Sequence, residues 1–90
     1  MSAEPIDSRR KRLIHRSLYT GMKETDLLLG AFARAHVGDF DVMQLDRYEQ
    51  LLAEPDPEIY AWAIEQNPVP SELDNDVMAL LRHFTRAFRP

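Results

Sequence analysis

Six apolar residues in the last quarter of the chain leave it one regular structure: Leu73, Val77, Leu80, Leu81, Phe84 and Phe88 fall at i, i+4, i+7, i+8, i+11 and i+15. Only a helical period places that series on one continuous face, and a face of that length must dock along another apolar surface. Pro68 and Pro70 forbid helix just before it and Ser71 offers a cap, so the spacing predicts a helix over 72–88. The same period recurs upstream. Leu13, Ile14 and Leu18 mark a helix over 8–19, and Leu28, Leu29, Phe32 and Ala35 mark one over 22–36. Asp41 with Gln44 forms a capping-box pattern ahead of Leu45, Tyr48, Leu51 and Leu52, which predicts a helix over 42–53. Asp56 followed by Pro57 reads as an N-cap and a first-position proline for a helix over 57–66, with Ile59, Tyr60, Ala63 and Ile64 turned inward. Residues 1–7 read as a flexible tail. With no strand-like alternation or repeat, the expected architecture is all-α, a small five-helix bundle forming a single helical domain over 1–90.

A chain of 90 residues buries only about 60–65% of its unfolded surface, so a thin core and modest stability are expected. The absence of cysteine removes disulfides, thiolate metal sites and a cysteine nucleophile. Apolar runs fall far short of the roughly 20 residues of a membrane span, so no membrane insertion is expected. The basic N-terminal segment is not followed by the apolar stretch of a secretory signal, and a cytoplasmic location is the expectation.

The net charge of −4 conceals an asymmetry: residues 1–23 sum to +4, 24–81 to −11 and 82–90 to +3. An acidic middle of that size repels phosphate, so nucleic acid is not the expected partner. The basic ends are expected to pair with the acidic middle, or else to steer a protein of opposite sign.

Chemistry-bearing patterns are sparse. His15, His36 and His83 lie on separate segments with no metal-ligand spacing, the serines lack a nucleophile elbow, and Gly21, Gly30 and Gly38 are too far apart to cradle a phosphate. No metal, no catalytic residue and no cofactor held by a recognisable motif are expected, and the chain does not read as an enzyme. What remains is the junction Thr20-Gly21-Met22-Lys23-Glu24, where Gly21 reads as a helix terminator at C′ and Glu24 falls in the first turn of the next helix. Tyr60 and Trp62 form a second cluster. Two residues apart, they lie about 200° around a helix from each other, so one of them belongs at the surface or at a partner interface.

Several segments in order carry a family resemblance: Arg10-Lys11-Arg12-Leu13 with Arg16-Ser17, Gly21-Met22-Lys23-Glu24 with Asp26-Leu27-Leu28-Leu29-Gly30, Tyr48-Glu49-Gln50-Leu51-Leu52, Asp56 through Trp62, and Asn75 through Arg82. In these the chain resembles the succinate dehydrogenase assembly factor family, small proteins that promote covalent flavinylation of the flavoprotein subunit. The family's R-G-x-x-E signature is matched at Gly21 and Glu24, with Thr20 where the arginine belongs. The resemblance implies a five-helix chaperone whose partner is the succinate dehydrogenase flavoprotein, with the fumarate reductase flavoprotein as a second candidate. FAD and its acceptor histidine would belong to that partner. Thr20, Gly21, Met22, Lys23, Glu24 and Asp26 would form the docking face, Arg9, Arg10 and Arg12 would steer or pair locally, and Trp62 would add an aromatic contact. The alternative is a helical interaction adaptor of another class, such as an antitoxin or regulatory module.

Overall fold

The computed structural model describes residues 4–88. Among the described residues five α-helices follow one another: α1 (Ile6–Ser17), α2 (Lys23–His36), α3 (Val42–Leu52), α4 (Asp56–Ala63) and α5 (Asp76–Ala87), with short 3-10 turns at Val37–Asp39 and Ser71–Leu73. The fold is an all-α bundle, and no strand occurs among the described residues.

The helix starts show how local chemistry selects among candidate caps. α3 begins where its capping box places it: the Asp41 carboxylate accepts from the Gln44 amide, and the Gln44 side chain accepts from the Asp41 amide. α5 does not begin at Ser71. That serine opens the 3-10 turn, Asp74 leaves helical geometry with ψ 83°, and Asn75 Oδ1 then accepts from the Val77 and Met78 amides, so the helix expected over 72–88 contracts. Leu73 stays buried from the 3-10 turn, keeping its place in the apolar core without belonging to α5.

α1 starts at Ile6 because Pro5 serves as N-cap and its carbonyl accepts from the Arg9 amide. The expected tail over 1–7 is therefore shorter at its inner end, and its residues 1–3 lie outside the described residues. In α4 the N-cap is Pro55 rather than Asp56, which enters the first helical turn with Pro57. α4 also stops at Ala63 instead of continuing to 66, because Glu65 takes a left-handed φ of 62°. Ile64, expected to face inward, is consequently 42% exposed.

Phe32 of α2 is fully buried at the centre of one apolar cluster, with ring contacts to His36, Phe40, Tyr48 and Phe84. The buried side of α2 runs through Thr25, Leu28, Leu29, Phe32 and Ala33. Ala35, expected on the stripe, is exposed because it lies on the flank of that face. Below the cluster, Ser17 Oγ donates to the Leu13 carbonyl at 2.7 Å, leaving Tyr48 to donate its own hydroxyl proton to Ser17. Burial of Tyr48 pushes its phenol above its ordinary pKa, so it remains a donor.

Charges from the basic ends pair across the bundle. Arg9 meets Asp46 and Glu49, Arg12 meets Glu49, and Arg86 meets Glu65. These surface pairs are worth little individually. They do show that much of the sequence asymmetry is consumed inside the molecule. No described helix is long and apolar enough to cross a membrane.

Candidate docking site

The junction between α1 and α2 is ordered by a polar clasp. α1 ends at Ser17 with Leu18 as its C-cap, so Gly21 lies beyond the C′ position expected for it. It nevertheless needs to be glycine, because its φ is +119° and an added Cβ would sit 3.3 Å from the Asp56 carboxylate. Thr20 donates both its backbone amide and its hydroxyl to Asp26 Oδ1, folding the loop back onto the first turn of α2. The Thr20 hydroxyl, then its amide, hold the Asp26 carboxyl below the usual carboxylate range, with a smaller pull from the Gly21 amide.

Asp26, expected to present its charge to a partner, engages Thr20 through Oδ1. A depressed pKa in the folded state means that this contribution is present above the ordinary carboxylate value, near pH 4, and is lost as pH falls through the lower folded value. Asp26→Ala is therefore expected to lower the melting temperature at pH 7 and to flatten its acid-side dependence relative to wild type. Melting curves from pH 2 to 7 by circular dichroism test this, and parallel acid profiles would show that the clasp does not contribute.

Glu24 behaves differently. It is exposed in the first turn of α2, and among the described residues its carboxylate has neither a hydrogen bond nor an ion pair. Met22 is the N-cap, extended and without side-chain capping, and Lys23 is exposed beside it. Glu24 thus supports its helix only through the N-terminal dipole, and its oxygens are available.

The other expected site residues divide clearly. Arg9 and Arg12 are engaged by α3 carboxylates, and Arg10 donates through Nε and Nη2 to the Phe40 carbonyl while pairing with Asp7. Trp62 is only 6% exposed, because Ile59, Trp62 and Ala63 form the buried face of α4. It packs in the core instead of standing at the surface, and Tyr60 is the half-buried member of the pair.

Two depressions flank the junction. Arg16, Tyr19, Thr20, Leu52 and Asp56 line a shallow cleft of about 200 Å³, in which Arg16 Nη2 donates to the Leu52 carbonyl. On the other side of Glu24, Leu27 and Leu28 of α2, Tyr60 and Ile64 of the α4 end, and Phe88 beyond α5 enclose a groove of about 190 Å³. Leu27 and Ile64 went unnoticed as surface residues because each reads as an ordinary member of an apolar run. The one available signal was that Leu27-Leu28-Leu29 holds more consecutive leucines than a helix face can bury.

Fold and surface together define a class: a small all-α protein whose distinctive feature is a clasped interhelical junction beside an apolar groove, with a carboxylate that has no partner among the described residues. The family model described as flavinator of succinate dehydrogenase matches residues 11–85. The chain belongs to that family. It is 40% identical over 85 residues to succinate dehydrogenase assembly factor 2-A, mitochondrial, of Drosophila sechellia, covering 92% of this chain and 52% of that protein. It is also 40% identical over 78 residues to succinate dehydrogenase assembly factor 2, mitochondrial, of Dictyostelium discoideum, covering 87% and 55% of the two chains. The chain spans about half the length of the curated relatives it matches.

Proposed function

We propose that this protein acts in succinate dehydrogenase assembly by docking on the flavoprotein subunit and promoting covalent attachment of its FAD. Family membership and relatives named as assembly factors support this reading. The structural observation that carries it is Glu24, an exposed carboxylate without a partner among the described residues, beside a loop that the Thr20 to Asp26 clasp holds in place. A preformed loop loses little entropy on binding, and a binder that favours the reactive arrangement of its partner lowers the barrier without supplying a reacting group. FAD and the histidine it joins remain the partner's. Thr20 replaces the motif arginine and turns its hydroxyl inward to Asp26. Arg16 lines the same cleft and presents a guanidinium there, so it takes over the role of cation at this end of the surface.

The test is the fluorescence of covalent flavin in the denatured flavoprotein subunit of the same organism, produced with wild type, without it, or with Glu24→Ala. Wild type is expected to be required, and Glu24→Ala to cut the signal about tenfold. Its melting temperature should move little, since loss of a dipole interaction alone costs about 0.3–1 kcal/mol. Equal signal in all three cultures would overturn the proposal.

A further inference from the structure

We infer that the docking surface continues from Glu24 into the groove between α2, α4 and α5, and that the groove receives one large apolar side chain of the partner with an arginine or lysine next to it. This rests on the docking function proposed above and specifies the chemistry of what docks.

Two aliphatic side chains that the core does not need are held at the groove. Leu27 is 49% exposed, outside the face on which Leu28 and Leu29 are buried. Ile64 is brought outward because α4 stops short, with Glu65 at φ 62°, and the Glu65 to Arg86 ion pair ties that end to α5. Tyr60 and Phe88 add aromatic walls, and Phe88 is itself stacked on Phe84 at 5.7 Å.

Size and charge then narrow the occupant. A groove of about 190 Å³ is below the roughly 300–1,000 Å³ of small-molecule pockets and suits a single inserted side chain. Glu24 is the one acidic residue on its lining, with no partner of its own among the described residues. An apolar side chain arriving alone would desolvate that carboxylate without compensation, whereas a neighbouring guanidinium or ammonium would pair with it. The aromatic walls favour the same cation.

The experiment is calorimetric titration of the purified succinate dehydrogenase flavoprotein subunit, at low and moderate salt, into wild type, Leu27→Asp, Ile64→Asp, Glu24→Gln and Val42→Asp. Val42 is 54% exposed and lies outside the groove, so it reports the effect of any added surface charge. All four positions are accessible, and melting curves confirm that each variant is folded. Leu27→Asp and Ile64→Asp are expected to weaken binding about tenfold or more, Glu24→Gln to weaken it and flatten its salt dependence, and Val42→Asp to bind as wild type does. Wild-type affinity in Leu27→Asp and Ile64→Asp, or an equal loss in Val42→Asp, would overturn the groove assignment while leaving docking through the junction intact. Absence of binding by wild type would overturn the docking function itself, and the groove assignment with it.

Discussion

Phe32→Ala is expected to lower the unfolding free energy by about 3–5 kcal/mol, the usual cost of emptying a large aromatic site in a core. Phe32 is 0% exposed, and its ring centroid lies 5.1 Å from that of His36, 6.2 Å from Phe40, 5.8 Å from Tyr48 and 5.7 Å from Phe84. Those partners come from α2 itself, the segment before α3, α3 and α5, so one deletion loosens several helices together. A domain of this length has a total stability of only about 5–13 kcal/mol, so the substitution removes roughly a quarter of it or more. Urea denaturation at 25 °C measures the effect. The midpoint is expected to fall steeply with the slope unchanged, because the surface exposed on unfolding is nearly the same. A loss below about 1 kcal/mol would mean that Phe40 and Phe84 collapse into the vacated space, far below the usual cost of such a cavity.

The existence of all five helices was legible because apolar spacing is a local property that packing then exploits. Boundaries were legible where the cap was unambiguous, and for α2, expected over 22–36 and found at Lys23–His36, even without a side-chain cap. Asp41 and Gln44 satisfy each other within one turn, so α3 began where expected. Ser71 and Asn75 are both good capping residues, and spacing alone did not choose between them; the break at Asp74 did. The early end of α4 carried no signal, since Glu65 adopts a conformation usually left to glycine or asparagine.

The site divides in the same way. Gly21 and Glu24 stand out in the sequence because one is permissive and the other falls in a helix's first turn. The clasp was hidden because Thr20 and Asp26 meet only when the loop closes. Burial of Trp62 was in principle readable: Ile59, Trp62 and Ala63 recur at i, i+3 and i+4, and that pattern outweighs the separation of Trp62 from Tyr60. The groove was beyond sequence reasoning, because its walls come from three helices and its two exposed aliphatics look apolar for ordinary reasons.

Gly21→Val is expected to abolish flavinylation while leaving a folded protein, an outcome that separates the junction from the core more sharply than any other single change. A β-branched residue at φ +119° is sterically disfavoured, and its Cβ would also press on the Asp56 carboxylate at 3.3 Å. Strain of this kind costs about 1–3 kcal/mol, which the loop can relieve by giving up the Thr20 contacts to Asp26 and rearranging. Gly21 is exposed and none of the buried residues around Phe32 must move, so the loss of stability is confined to the junction. In a domain of this size about 1–3 kcal/mol lowers the melting temperature by roughly 5–20 °C, and the assay belongs well below both transitions. Phe32→Ala would lose signal only as its lowered transition approaches the assay temperature and folded protein is depleted, whereas Gly21→Val would fail with its helical circular dichroism intact. Asp26→Ala should fall between wild type and Gly21→Val, since it removes the clasp but leaves Gly21 free to visit the docking conformation. Normal covalent flavin signal from a folded Gly21→Val protein would show that the geometry of the junction is not what the flavoprotein recognises, and the role of Glu24 would have to be reassigned to the groove alone.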